Sequence, residues 1–262
     1  MIRDFLFEEF NSNLKIFGYI SVFFFFETFW PYLVKFENRK RHTVRNIGLF
    51  LFYIVVTTPV NYVAASWYNF IDAQHWGILN LFTINPTIKI ILGIMLMDCG
   101  DYFYHRLSHR SKLIWRFHKI HHSDSQMDST TAYRFHPFDN IGLVITELTT
   151  ASIFGYGVDT VVIYFAIYLP VLMIQHTNLK FPNWFEKISE YVFASPNFHR
   201  IHHSHPRYLT DSNYGALLSF WDRLFGTYQG VPPEKFQFGL EDAKDNKYQT
   251  LWHLITGPFR NQ

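Results

Sequence analysis

The run Ile91-Leu-Gly-Ile-Met-Leu-Met-Asp98-Cys-Gly-Asp101-Tyr-Phe-Tyr-His105-Arg-Leu-Ser-His109 is apolar for most of its length and ends on two histidines. His105 and His109 are four residues apart, so on a helix they share a face. Two further clusters follow, His118-Lys-Ile-His121-His122 and His199-Arg-Ile-His202-His203, both spaced i, i+3, i+4. A looser group, Arg134-Phe-His136-Pro137 and His176-Thr-Asn178, lies between them. Each cluster can aim two or three imidazoles at one point. Eight convergent nitrogens exceed what one transition metal uses, which points to a two-metal site.

Outward from this run, the chain alternates apolar and polar stretches. Apolar segments run from about Ile16 to Val34, from Ile47 to Trp67 and from Pro86 to Tyr104. Two more, Ile141–Tyr156 and Val158–Ile174, are separated by little more than Gly157. A membrane span needs roughly 20 residues, and five such segments in one chain argue for a bilayer rather than a buried soluble core. Hydrophobic residues make up 48% and aromatic residues 20% of the 262 positions, so the polar stretches alone bring the mean hydropathy near zero. The N-terminus is acidic and lacks the basic flank of a signal peptide, so the first segment reads as a retained anchor.

The basic residues orient the segments. Lys35, Arg39, Lys40, Arg41 and Arg45 lie between the first two, and no Lys or Arg lies between Trp67 and Pro86. The positive-inside rule places the first connection in the cytoplasm and the second outside. The third segment then runs inward and delivers His105 and His109 at its cytoplasmic end. The fold class is thus all-α: a multi-pass membrane helix bundle with a cytoplasmic, histidine-rich di-metal cap. One membrane domain is expected over residues 1–262, with anchor helices over about 16–104 and a catalytic region over about 98–228. Pro232-Pro233 and the charged stretch after it read as a solvated loop.

Several function classes fall away. A net charge of +2 gives no reason to propose a nucleic-acid partner. The single cysteine, Cys99, rules out an intrachain disulfide framework and a cysteine-ligated cluster. The Glu-x-x-His pairs of carboxylate-bridged di-iron bundles and the His-Glu-x-x-His of zinc proteases are absent. A mostly imidazole site leaves its metals cationic, with open positions for oxygen or water. That suits dioxygen activation better than structural zinc, which four ligands close. The competing class is a membrane protein that binds or transports metal without chemistry. Transport wants ligands near the midplane, whereas these clusters gather beyond the helix ends.

In this order and combination the motifs closely resemble the fatty acid hydroxylase and sterol desaturase superfamily of membrane di-iron enzymes. The resemblance covers Asp98 to Tyr228 and includes Leu113-Ile-Trp115-Arg-Phe-His118, Asn213-Tyr214-Gly215 and Trp221-Asp222-Arg-Leu-Phe-Gly226. It implies two iron ions held by His105, His109, His118, His121, His122, His199, His202 and His203, with His136 and His176 completing the set. It also implies a dioxygen-dependent hydroxylase acting on a lipid such as a fatty acyl chain or sterol. Desaturation and pterin-dependent alkylglycerol oxidation are the alternatives inside the superfamily. The chain shows no dinucleotide fingerprint, haem-attachment motif or cysteine cluster, so electrons are expected from a separate reductase, ferredoxin, cytochrome or reduced pterin. Metal-bound histidines usually donate their other N–H to a carboxylate or carbonyl. Asp101, Asp128, Asn178 and Asp222 are the candidates for that task. Asp98 reads equally as a functional group or a boundary cap, and Arg134 and Arg200 as interfacial charges or contacts to a head group or reductase.

Overall fold

Five long helices carry the fold in the computed structural model, which describes residues 2–33, 38–230, 236–240 and 248–260. They are α1 (Ile2–Phe29), α2 (Arg39–Gln74), α3 (Pro86–Arg110), α5 (Pro137–Phe154) and α6 (Val158–His176). Shorter helices close one end: α4 (Lys112–His122), α7 (Asn183–Val192), α8 (Pro196–His202), α9 (Arg207–Thr210), α10 (Phe220–Leu224) and α11 (Leu251–Thr256). Among the described residues there is no strand, only two isolated bridges.

Local chemistry sets the boundaries. Asn85 accepts from the Thr87 N–H and Pro86 opens α3, a pairing that suits a first turn. Ser195 and Pro196 start α8 in the same way. At the far end of the bundle, Gly155 ends α5 at φ +81°, where a side chain is strained and an added Cβ would meet the Trp76 carbonyl. The Asp72 carboxylate then reaches over from the end of α2 and takes the Val158 N–H at 2.9 Å, which holds the start of α6.

The segments differ from the sequence expectation in length. The first helix begins already at Ile2 and ends at Phe29, and the second extends from Arg39 to Gln74 instead of Ile47 to Trp67. Hydropathy marks only the apolar middle of such helices, not their polar ends. Two stretches, Arg39–Leu81 and Val158–His176, are long and apolar enough to cross a membrane. The other three long helices carry polar residues that interrupt the apolar run, and Glu27, Asp98, Asp101 and Glu147 among them are buried. The expected loop at Pro232-Pro233, the segment end at Val34 and Lys35 lie outside the described residues.

Two features fix the end that carries the histidines. Glu27, at the close of α1, accepts from Ser129 N and Oγ and from Asn178 N at 2.7–3.0 Å. Asp124, just after α4, takes His42 Nε2 at 2.8 Å, Asn46 Nδ2 at 3.1 Å and Thr131 Oγ1 at 2.8 Å. Burial alone would raise the Asp124 carboxyl, but His42 and the Arg134 guanidinium overcome it and hold it well below the usual carboxylate range. Arg134 is itself fully buried and donates to Ile120 O, Asn46 Oδ1, Ser123 Oγ and Gln249 Oε1. The basic start of α2 therefore sits at the same end of the bundle as the histidine clusters.

Candidate metal centre

The histidines come from three helix ends and one short helix. α3 delivers His105 and His109, α4 delivers His118, His121 and His122, α6 ends on His176, and α8 supplies His199 and His202 with His203 just beyond it. On α4 the i, i+4 pair His118 and His122 faces one way and His121 is turned aside. α4 and α8 thus contribute to both of two groups. His105, His109, His118, His122 and His202 form one; His121, His176, His199 and His203 form the other. Within each group the candidate ligand nitrogens lie within 4.8 Å of one another. The groups adjoin, with the His122 and His203 rings stacked at 4.4 Å.

Outward hydrogen bonds fix which nitrogen faces in. His105 Nδ1 donates to Tyr214 O at 2.7 Å, His202 Nδ1 to Ser212 O at 2.7 Å and His176 Nδ1 to Leu172 O at 2.8 Å. His118 Nδ1 bonds the Asp139 carboxylate at 2.9 Å. Each of these leaves an Nε2 lone pair pointing inward, the tautomer a metal requires. His105, His109, His202 and His203 bury Nε2 with no hydrogen-bond partner.

Nε2–Nε2 distances are 3.2 Å for His118–His122, 3.2 Å for His121–His176 and 3.0 Å for His176–His199. Two inward lone pairs cannot hydrogen-bond each other. Adjacent ligands on a metal at about 2.1 Å, the length imidazole adopts on zinc, stand about 3 Å apart. The residues present therefore fit a metal site. Burial first, and neighbouring imidazoles second, push His121, His122, His199, His202 and His203 well below the ordinary histidine pKa, so these rings are neutral and able to ligate.

His136 is not brought to either group. Its Nδ1 accepts from Phe138 N at 3.3 Å, capping α5, and its Nε2 donates to Ile255 O at 3.1 Å. Phe117, Phe138 and Phe259 surround the ring. A histidine one residue before the Pro137 that opens α5 has its side chain committed to that helix start.

The carboxylate and amide expectations also shift. Asp128 caps the short helix Ser129–Tyr133 through Thr130 and lies 3.6 Å from His42 Nδ1, away from both groups. Asn178 Oδ1 accepts from Leu33 N and secures the chain after α1. Asp101 takes the Tyr164 hydroxyl at 2.7 Å rather than a histidine. Asp222 acts one step further back. It accepts from Tyr214 N and Gly215 N and so holds the loop whose Tyr214 carbonyl receives His105. Asn213, at φ +55°, clamps the same loop by bonds to Phe198 O and to Gln229 N and O. Asp98 is satisfied by Trp221 Nε1, Tyr164 and the Leu217 and Leu218 N–H groups, so it pairs α3 with the C-terminal region. Arg200 is buried and donates to Thr177 O and Leu179 O, a brace for α8 rather than an interfacial charge.

Asp139 is the residue that sequence reading missed. The signal was its place in the first turn of a helix opened by Pro137. Gly142, one turn on, lets the Tyr104 ring lie against the α5 backbone, where a Cβ would come within 2.5 Å of Tyr104 Oη. Tyr104 in turn donates to Asp139 Oδ1 at 2.9 Å and steadies it toward His118.

A cavity of about 770 Å3 opens onto this centre between α1, α2, α3, α5 and α6. His105, His118, His121, His176 and His199 line its inner end, and Ile54, Val161, Phe165 and Leu169 line its apolar course. The helical bundle thus gathers nine buried or half-buried histidines, in two groups that fit metal ions, at the head of an apolar chamber.

The chain belongs to the fatty acid hydroxylase family, whose sequence model matches residues 90–227, just over half of the 262. It is 24% identical over 243 residues to the ornithine lipid hydroxylase of Rhizobium tropici, covering 87% of this chain and 70% of that protein. It is 31% identical to human alkylglycerol monooxygenase over 151 residues, 55% of this chain and 31% of that protein. The Delta(7)-sterol 5(6)-desaturase of Saccharomyces cerevisiae is 27% identical over 197 residues, 71% of this chain and 47% of that protein. The chain thus spans about a third of the alkylglycerol monooxygenase and under half of the desaturase. No solved structure matches it. These relatives are lipid hydroxylases, monooxygenases and desaturases, which supports an oxidoreductase.

Proposed function

We propose that this protein is an integral membrane, non-haem di-iron oxygenase that hydroxylates a C–H bond of a lipid with dioxygen and external electrons. The observation that carries the reading is the pair of imidazole groups, five and four strong, at the inner end of an apolar cavity. His105, His109, His118, His122 and His202 would hold one iron and His121, His176, His199 and His203 the other. When bound, the two irons supply dioxygen activation and the oxidising power to break an unactivated C–H bond.

The protein's own residues do the rest. The carbonyls of Tyr214, Ser212 and Leu172 and the Asp139 carboxylate hold the ligands' inward tautomer. The apolar cavity walls accept an alkyl chain, exclude water and present one stretch of it to the histidines. Exposed apolar side chains on α2 and α6, such as Val55, Val63, Val162 and Ile167, support lipid around the bundle. The basic start of α2 lies at the histidine end, which favours a cytoplasmic centre. Hydroxylation is preferred to desaturation, and the electron donor is a separate reductase, ferredoxin, cytochrome or reduced pterin.

The test is metal analysis joined to lipid analysis. Purified protein should carry two irons per chain, and cells expressing it should accumulate a lipid heavier by one oxygen. His121→Ala should remove both signals. One labile metal per chain, no oxidised lipid and metal uptake into vesicles would favour a metal carrier instead.

A further inference from the structure

We propose that Asp101, Glu147 and Tyr68 form a recognition subsite for the ammonium group of a lipid head group, inside the cavity and close to the histidine centre. The proposal rests on the lipid oxygenase reading and names the class of lipid. All three residues line the cavity, from three different helices. Asp101 lies one turn before His105 on α3, about 6 Å by helical rise. The contact of Gly100 with Thr146 and Thr150 brings the Glu147 turn of α5 to the same level.

Each of the three has hydrogen-bonding capacity that the fold leaves unused. Asp101 Oδ2 takes the Tyr164 hydroxyl, but Asp101 Oδ1 is buried without a partner. The Tyr68 hydroxyl is buried without one as well. Both residues are more than nine-tenths buried, at 4% and 5% exposure. The Glu147 carboxylate receives no hydrogen bond from the described residues, since the bonds made to Glu147 go to its main-chain carbonyl. Among the described residues other buried carboxylates are held by several donors, as Asp98, Asp124 and Asp222 show, and the free oxygen of Asp128 faces the His42 ring at 3.6 Å.

Charge decides the ligand. A buried carboxylate needs a cation or several donors, and ionisable groups at membrane depth mark binding or transfer sites. Among the described residues the only Lys or Arg lining the cavity is Lys15, on α1. Among them, too, no hydrogen bond or ion pair joins Lys15 to Asp101 or Glu147, and the one side-chain donor to either carboxylate is the Tyr164 hydroxyl on Asp101. An ammonium group has three donors and one positive charge. Two carboxylates and a hydroxyl facing one space supply the matching acceptors. The apolar walls farther along the cavity then take the tail, so the carbon offered to the metals lies only a few bonds from the amine.

The test is equilibrium binding to the full iron-loaded chain in phosphatidylcholine nanodiscs, corrected for empty discs, with dodecylamine, dodecan-1-ol and butylamine as probes. Dodecylamine should bind at least tenfold more tightly than dodecan-1-ol, and butylamine far more weakly than either. Glu147→Gln should remove most of the amine preference while iron content and dodecan-1-ol affinity are kept. Equal affinity for amine and alcohol in the wild type overturns the proposal, as does a Glu147→Gln protein with its preference intact. Butylamine binding as well as dodecylamine overturns the assignment to a lipid. Should Glu147→Gln lose its iron, Asp101→Asn and Tyr68→Phe are judged by the same criteria. Because binding is read without turnover, an absence of oxygen uptake with every lipid sinks the oxygenase reading and leaves the amine preference to be scored separately. Oxygen uptake with a neutral lipid and no amine preference sinks only the subsite.

Discussion

His118 and Asp139 are joined by a 2.9 Å hydrogen bond from Nδ1 to Oδ2, while the other carboxylate oxygen of Asp139 takes the Tyr104 hydroxyl. One side chain thereby ties α3 and α4 together behind a single imidazole. The ring is held with Nε2 toward its group whether or not anything is bound there. Among the described residues Asp139 is the only carboxylate hydrogen-bonded to one of the nine grouped histidines, while Asp211 Oδ1 approaches His109 Nδ1 to 3.4 Å without forming such a bond.

Asp139→Ala should therefore weaken metal binding without removing a ligand. The usual loss for such an outer partner is about 10–100-fold in affinity. Metal titration of the purified variant measures it, and His118→Ala serves as the upper limit. An affinity equal to wild type would leave the Asp139 contact without a functional role.

His136→Ala and His121→Ala should behave differently, although the family resemblance places both histidines in the ligand set. His121 faces His176 Nε2 at 3.2 Å, so its loss should abolish the second group's metal and all turnover. His136 caps α5, so its loss should cost about 1 kcal/mol of stability and leave metal content intact. Iron analysis beside thermal unfolding separates the two. Loss of iron in His136→Ala would return that residue to the ligand set.

These two residues mark where sequence reading succeeds and where it stops. Spacing on a helix is local, so the faces of α3, α4 and α8 were legible from i, i+3, i+4 patterns alone. His136 carries no such pattern, and its role depends on Pro137 starting a helix that needs a cap. The carbonyls of Tyr214 and Ser212 are main-chain groups placed by Asn213 and Asp222, and no residue type announces them. The long helices were visible as apolar runs, but their ends were not. Glu27 and Asp124 make buried polar contacts, and Asp72 an exposed one, at places that hydropathy treats as termini.

Asp124 predicts a pH dependence of stability. Its folded pKa is depressed by His42 and Arg134 acting against burial, relative to about 3.9 in an unfolded chain. A depressed carboxylate contributes stability that is present above the unfolded value and lost as pH falls through the folded one. Asp124→Asn leaves Arg134 buried without its counter-charge and should cost about 3–5 kcal/mol near neutral pH. The gap between variant and wild type should narrow below about pH 4. Denaturant unfolding in detergent, followed by tryptophan fluorescence from pH 7 to pH 2.5, reads it. A gap that stays constant over that range contradicts the assignment.

Metal removal should loosen one end of the bundle and spare the other. Without a metal, the Nε2 atoms of His105, His109, His202 and His203 are buried with no hydrogen-bond partner. A buried polar atom left in that condition costs about 1–3 kcal/mol. The end of α3 and α8, which carry them, with the adjoining α4 and the loop through Tyr214, should then open more readily to water. The opposite end is held by Asp72 on Val158 and by the Gly155 turn, with none of the nine grouped histidines involved. Hydrogen exchange on chelator-treated and iron-reloaded protein in nanodiscs measures both ends at once. Faster exchange in 112–122 and 196–215, reversed by reloading and absent at 150–160, is the expected result. Uniform loosening along the chain would mean that the metals stabilise the whole bundle, and unchanged exchange that the imidazole groups are preorganised enough to stand empty.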